Sequence, residues 1–308
     1  MLPKITVIGS INMDLSICAD SLPMLGETVH GRDFKTLPGG KGSNQAIAAA
    51  RLGAQVHFVG CVGQDTFGNT LCQHLLQEGV STQHVHAIPD CATGTAVILL
   101  HKGDNCIIVD RGANTHLSSA HVLEAEDCIR QSNMVIGQFE APMGALTSAF
   151  SIAKEAGVPT LLNPAPYQPF DEALLQMTDI IIPNEIECGQ LTGIDLQTDE
   201  DLLLAMEKLR SLGPKEVIVT LGSRGAAYLD GDTLHLLPAR QVDAVDTTGA
   251  GDSFCGSLAW ALGYGFHIRE AVHVAICVSS IAVTRRGASS SYPTLYELQQ
   301  VIASEIQQ

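Results

Sequence analysis

Basic residues are scarce in this chain. Its 308 residues include 17 lysines and arginines against 33 aspartates and glutamates, a formal net charge of −16 at pH 7. This balance disfavours a polyanion-binding surface, so nucleic acid is not an expected partner. No apolar run approaches the length of a transmembrane helix, and the N-terminal residues lead directly into a strand pattern. We therefore expect no membrane partner.

Patterned cysteines and histidines are also missing. The nine cysteines include no C-x-x-C pair, and the eleven histidines show no metal-ligand spacing. An odd, unpatterned set of cysteines favours free thiols in a reducing compartment over a disulfide framework or a zinc site. The expected location is therefore the cytoplasm.

Three familiar motifs come close and are incomplete. A dinucleotide loop G-x-G-x-x-G would need glycine where the chain has Phe254, and a nucleophile elbow G-x-S-x-G would need it at Cys255. A Walker loop around Lys41 would need Ser or Thr at Gly42. The incomplete dinucleotide loop disfavours an NAD-dependent oxidoreductase.

Short apolar runs alternate with helical patterns along most of the chain. The runs lie at residues 5–9, 57–62, 134–139, 160–163, 179–183 and 216–221. This alternation predicts an α/β fold with a Rossmann-like, mainly parallel sheet and helices on both faces, forming a single domain over residues 1–308. Segments of about 13–38 and 95–110, the latter turning at 102–105, predict a small additional β-sheet.

The sequence D-T-T-G-A-G-D-S-F at residues 246–254 carries the clearest chemical signal. Apolar residues recur at helical spacing after it, so it predicts a glycine-rich loop entering a helix. Without Cβ atoms at Gly249 and Gly251, backbone N–H groups can close around an anion. The helix dipole favours an ionised Asp252, suited to accept a proton from a hydroxyl that attacks a phosphate. An ordinary strand-to-helix turn would carry the same residues.

Two further stretches extend this pattern. P-G-G-K-G-S-N-Q-A occupies residues 38–46, and G-S-I-N-M-D occupies residues 9–14. With residues 246–252, which follow about 200 residues later, they resemble the paired signatures of the ribokinase-like (PfkB) carbohydrate kinases. The similarity runs over essentially the whole chain. In that family the small sheet is a lid over the sugar, and the resemblance implies a homodimer formed through it.

The resemblance implies ATP-dependent phosphorylation of D-ribose at its 5-hydroxyl, with Mg²⁺ bridging phosphate oxygens and lid closure excluding water. A kinase of another small sugar, above all 2-deoxyribose, is one alternative because most of the sugar signature is shared. A non-catalytic sugar-binding protein on the same fold is a second alternative. The intact Asp252 and glycine loop disfavour it.

The family's site positions carry over residue by residue. Asp252 matches the catalytic base, which also contacts the sugar. The other sugar-contacting positions are Asn12, Asp14, Gly40, Lys41, Asn44 and Glu140. The ATP-contacting positions are Asn184, Thr220, Gly222, Ser223, Gly225, Gly249, Ala250, Gly251 and Ile276. We expect Asn12, Asp14 and Glu140 just beyond strand ends, at the sheet edge where ligands bind. Ile276 stands where related proteins often have a polar residue near adenine.

The resemblance also implies two metal sites. Glu187, in an N-x-x-E element, would help organise Mg²⁺ through water. An activating potassium ion would be bound by side-chain and carbonyl oxygens of Asp246, Thr248, Ala282, Arg285, Gly287 and Ser291. Alternatively, Asp246 only caps its own turn.

Overall fold

A computed structural model describes residues 2–101 and 104–306. The predicted turn at 102–105 therefore falls partly outside the described residues. The strands are β1 Lys4–Ile8, β2 Asn12–Ala19, β3 Gly31–Gly39, β4 Gln55–Gly63, β5 Val80–Ile88, β6 Gly94–His101, β7 Asp104–Asp110, β8 Met134–Gln138, β9 Thr160–Asn163, β10 Ile180–Ile181, β11 Glu216–Thr220, β12 Ala226–Asp230 and β13 Thr233–Leu237. The helices are α1 Lys41–Arg51, α2 Thr66–Gln77, α3 Ser119–Glu124, α4 Glu126–Arg130, α5 Met143–Glu155, α6 Glu172–Gln176, α7 Glu185–Thr192, α8 Asp199–Ser211, α9 Ala250–Tyr264, α10 Ile268–Ala282 and α11 Leu295–Ile306.

Within the described ranges, the main sheet has nine strands in the order β13-β12-β11-β10-β9-β8-β1-β4-β5. The pairs from β11 through β5 are parallel, whereas β12 pairs antiparallel with both β11 and β13 at one edge. This arrangement confirms the predicted α/β class. Strands β5, β12 and β13 were not predicted.

Helices cover both faces of this sheet and bury two apolar layers. Successive strand residues point to opposite faces, so Val7 packs in the layer that contains Phe254 of α9. Its neighbour Ile8 packs in the layer that contains Phe150 of α5. Both faces of β1 are thereby closed to water, as its continuous apolar run predicts. Among the described residues, no helix has the length and apolar character needed to cross a membrane.

The small sheet lies in the order β3-β2-β6-β7. Its central pair β2–β6 is parallel and its outer pairs are antiparallel. Strand β2 begins at Asn12, only a few residues after β1 ends at the carboxyl edge of the main sheet. Apolar side chains remain exposed on this sheet, including Phe34, Ile107 and Ile108.

Candidate active site

Asp252 lies in the first turn of α9 and is only 6% exposed. The helix is preceded by Gly249, whose φ of +74° belongs to the left-handed region that favours glycine. A Cβ at Gly249 would overlap the Tyr292 hydroxyl, which donates to the Gly249 carbonyl at 3.0 Å. The glycine therefore lets the chain turn sharply into α9 and fixes the depth at which Asp252 is buried.

Two amides from α1 donate to the Asp252 carboxylate. Asn44 Nδ2 lies 3.0 Å from Oδ2, and Gln45 Nε2 lies 3.1 Å from Oδ1. Burial raises the pKa of Asp252; the Lys41 ammonium and the two amides oppose this without cancelling it, and Glu140 adds to the rise. Burial thus outweighs the stabilisation of the ionised form that the helix dipole alone suggested.

Lys41 is the first residue of α1 and faces several carboxylates. Burial lowers the pKa of Lys41, but Asp252, Glu140 and Glu187 outweigh this effect and leave that pKa raised. The ammonium group is therefore a retained positive charge among three acids. Such a cation can balance added anionic groups next to Asp252.

Asn12, Asp14 and Glu140 converge beside this centre. Asn12 Oδ1 accepts from Asn114 Nδ2 at 2.8 Å, and Glu140 Oε2 accepts from the Ser10 hydroxyl and, at 3.1 Å, from the Lys41 amide. The expected position of Asn12 and Asp14 needs correction. Both lie within β2, because the chain starts the small sheet at once instead of forming a loop.

Asp14 is electrostatically coupled to the same centre. Its pKa is raised to about 7, first by burial and then by the charges of Glu140 and Asp252. A Cβ at Gly39, on the neighbouring strand β3, would overlap the Asp14 carboxylate. Gly39 therefore provides the space that this side chain occupies.

A cavity of about 1070 Å³ opens on the other side of the α9 start. Of the predicted ATP positions, it is lined by Asn184, Thr220, Gly222, Ser223, Gly225, Ala250, Gly251 and Ile276. Gly249 is not among the lining residues and instead forms the N-cap of α9. Residues 239–244 form a further wall that the sequence analysis missed.

The first residues of α9 line the cavity, and their backbone is suited to binding an anion. Apart from its chain neighbours and the backbone of its own helix, no described atom would lie within 4 Å of a Cβ at Gly251, so the space beside it is open. Among the described residues, the Gly251 and Asp252 amides have no hydrogen-bond acceptor. Free N–H groups at a helix N-terminus bind phosphate oxygens.

Asn184 and Glu187 form a reciprocal cap at the start of α7. Asn184 Oδ1 accepts from the Glu187 amide at 2.8 Å, and Glu187 Oε2 accepts from the Asn184 amide at 2.9 Å. Burial raises the pKa of Glu187, and its carboxylate also interacts with Lys41 and Asp252. This pair therefore caps a helix, with Asn184 lining the cavity and Glu187 interacting with the buried acid.

Asp246 joins the two segments proposed to bind potassium. Its Oδ1 accepts from the Thr248 amide and hydroxyl at 3.0 and 2.6 Å, and its Oδ2 accepts from the Gly287 amide at 2.9 Å. In the second segment the Ala282 carbonyl accepts from the Arg285 amide, and the Ser291 hydroxyl donates to the Ala288 carbonyl. Asp246 thus caps its turn and connects the halves of this oxygen-rich region.

Metal ligation by protein side chains alone is not supported. Within residues 2–101 and 104–306, no group of three or more His, Cys, Asp or Glu side chains could hold a metal ion. A Mg²⁺ ion that keeps waters and binds phosphates needs one or two protein carboxylates, a role that Glu187 could fill. A potassium ion bound mainly by carbonyl oxygens needs no such group either.

The sequence analysis missed the buried amides that surround Asp252. Gln45 and Gln138 are fully buried, and Asn163 is nearly so. Gln45 stands next to Asn44 in the N-Q-A part of the first glycine-rich motif. The sequence around Gln45 could have indicated its role, because a glutamine among alanines in an interior helix needs polar partners.

The buried acid, the helix start and the nucleotide-sized cavity are the parts of a small-molecule kinase. The family model of the pfkB family carbohydrate kinases matches residues 2–295, and the chain belongs to this family.

Several relatives match nearly the whole chain in sequence or in fold. A ribokinase from Haemophilus influenzae is 39% identical over 298 residues, covering 96% of this chain and 97% of the relative. A deoxyribokinase from Salmonella typhi is 33% identical over 301 residues, covering 97% and 98%. The structure of Arabidopsis thaliana ribokinase complexed with ribose and ATP aligns with a TM-score of 0.92 and 33% identity, covering 98% of this chain and 99% of that one.

Proposed function

We propose that this protein transfers the γ-phosphoryl group of ATP to O5 of D-ribose. The observation that carries the proposal is the position of Asp252, buried at a helix start with free amides and next to the cavity. Relatives named as ribokinases, and a ribokinase structure with ribose and ATP, support the choice of substrates.

In the proposed reaction Asp252 takes the proton of the 5-hydroxyl as O5 forms a bond to the γ-phosphorus. The bond from that phosphorus to the bridging β-phosphate oxygen breaks, and ADP leaves. Because its pKa is raised, the ionised form of Asp252 is a stronger base than an exposed aspartate, provided that the site keeps it ionised. The Gly251 and Asp252 amides would stabilise the charge on the transferred group.

The sugar would be held on the side of the small sheet. Asp14, Asn12 and Glu140 offer oxygens that can bridge neighbouring hydroxyls. Among the residues that the structure describes, Asn44 Oδ1 is buried without a hydrogen-bond partner, while Nδ2 of the same side chain donates to Asp252. A sugar hydroxyl donating to this oxygen would satisfy it and lie next to the base. Gly40 and Lys41 would complete the contacts.

The nucleotide would occupy the cavity, with its phosphates at the α9 start. Asn184, Thr220, Gly222, Ser223 and Gly225 would follow the nucleotide, and Ile276 would pack against the base. Gly249 and Ala250 would contribute backbone at the phosphates.

Mg²⁺ would neutralise phosphate charge, with Glu187 positioned to hold it through water. A potassium ion at Asp246, Thr248, Ala282, Arg285, Gly287 and Ser291 would stabilise the loop before α9. We further propose one domain over residues 1–308, a lid formed by the small sheet, and a homodimer in the cytoplasm that pairs through the exposed apolar face of the lid.

A kinase of 2-deoxyribose is the second candidate, favoured by the deoxyribokinase relative. Initial rates of ADP release with each sugar at saturating ATP separate the two. We expect kcat/KM for D-ribose to exceed that for 2-deoxyribose at least about tenfold, because a site that hydrogen-bonds a hydroxyl discriminates against its absence. The reverse ranking would favour the deoxyribose kinase, and no sugar-dependent ADP release would reject both.

A further inference from the structure

A series of hydrogen-bonded side-chain amides leads to the Asp252 carboxylate. Gln138 Nε2 donates to Gln45 Oε1 at 2.9 Å. Gln45 Nε2 then donates to both Asp252 Oδ1 and Asn163 Oδ1, each at 3.1 Å. Asn163 Nδ2 donates in turn to the Ile182 carbonyl at 2.8 Å.

This series of amides fixes which end of the Gln45 amide faces Asp252. Rotating the amide by 180° would set its oxygen against two acceptors, the carboxylate of Asp252 and Oδ1 of Asn163. Gln138 can rotate together with Gln45, because Gln138 Oε1 has no hydrogen-bond partner among the described residues, so the two acceptors decide the orientation. Asn163 cannot rotate to compensate without losing its bond to the Ile182 carbonyl.

Close helix packing brings Gln45 within reach of the acid. A Cβ at Gly256, one turn after Asp252, would overlap the Gln45 carbonyl and lie 2.8 Å from Ala48 Cβ. Glycine therefore lets α1 approach α9 closely at this level. Gln45 is fully buried, so water cannot replace its amide.

We propose that Gln45 is a positioning residue, which orients the Asp252 carboxylate and favours its ionised form so that it can accept the sugar proton. This inference rests on the proposed role of Asp252 as the base. A hydrogen bond donated to a buried carboxylate favours the charged form, and burial would otherwise favour the neutral one.

Other charged or titratable groups around Asp252 stay unchanged when only Gln45 is replaced. They are Asp14 on β2, Lys41 on α1, Glu140 after β8, Glu187 on α7, Cys255 on α9 and Tyr292 before α11. A shift in the apparent pKa of the acidic limb of the kcat–pH profile would therefore result from the loss of the Gln45 amide.

The test is the pH dependence of kcat, with KM for ribose measured alongside. Gln45→Met keeps the length of the side chain and removes the donor. We expect the apparent pKa of the acidic limb to rise by about 1 to 2, so that kcat at a pH below the wild-type apparent pKa falls about 10- to 100-fold. Most of kcat should return at high pH, with KM changed by less than about threefold.

Gln45→Glu provides a second variant should the methionine variant fail to fold. Its added carboxylate should move the limb in the same direction. Gln73→Met, at an exposed position on α2, is the matched control and should leave the profile unchanged.

An unmoved limb would overturn the inference, as would a loss of kcat that is equal at every pH. Asp252→Asn in the same assay tests the role of Asp252 separately from the role of Gln45. Turnover in that variant would reject the proposed base itself. Its inactivity, combined with a wild-type profile for Gln45→Met, would reject only the role of Gln45.

Discussion

Replacing Asp14 by asparagine should stabilise the sugar-free protein, by an amount that grows with pH. In the folded protein the pKa of Asp14 is raised from 3.8 to about 7 by burial, Glu140 and Asp252. Between these values the unfolded chain has lost the proton and the folded chain retains it, so wild-type stability falls as pH rises. Above the pKa of Asp14 in the folded protein, this loss of stability reaches its full value. Asparagine cannot ionise and therefore does not cause the loss.

The size of the effect follows from that shift. The rise from 3.8 to about 7 corresponds to at most roughly 4 kcal/mol, at about 1.4 kcal/mol per pH unit. Asp14 is half-buried, so solvent screening should reduce this to about 1–3 kcal/mol. For a chain of this size, that is roughly 2–6 °C in Tm.

The assay is thermal unfolding at pH 5 and pH 8 without sugar and at constant ionic strength. We expect the Tm gain of Asp14→Asn to be at least twice as large at pH 8 as at pH 5. Asp110→Asn changes an exposed carboxylate of the same small sheet and should give the same small offset at both pH values. An Asp14→Asn variant that is less stable at pH 8, or equally shifted at both, would refute the electrostatic account.

Three further predictions concern binding and ions. Asp14→Ala should raise KM for ribose about 5- to 150-fold, equivalent to roughly 1–3 kcal/mol, and leave KM for ATP nearly unchanged; an unchanged ribose KM would remove Asp14 from the sugar site. Gly251→Ala adds a Cβ into open space, so Tm should stay within about 2 °C while kcat/KM for ATP falls at least about tenfold; normal ATP kinetics would place the phosphates elsewhere. Replacing sodium by potassium should raise the wild-type rate and have little effect on Asp246→Ala, whereas equal wild-type rates in both salts would argue against the cation site.

Local patterns predicted those parts of the structure that depend on short stretches of chain. The apolar run at residues 5–9 predicted β1, and the glycine-rich stretch before Phe254 predicted the loop entering α9. Asp252 was assigned to the first helical turn by spacing alone. Each of these features is determined by residues within one or two turns.

The missed features depend on distant partners. Residues 239–244 carry no periodic pattern, and the Val245 and Asp246 amides that follow them donate to the Val283 carbonyl. Strand β5 mixes polar and apolar residues because it forms a half-exposed sheet edge. Gln45 acquires its role only through Asp252, 207 residues later in the chain.

The position of the transferred phosphate tests the central claim most directly. The purified protein would be incubated with ATP, Mg²⁺ and D-ribose, and the product identified by ³¹P NMR, alongside Asp252→Asn. We predict one sugar phosphate whose phosphorus couples to the C5 protons, and a rate for Asp252→Asn lower by about 10²–10⁴. Phosphate coupled to the C1 proton, release of inorganic phosphate alone, or near-normal turnover by Asp252→Asn would contradict the account.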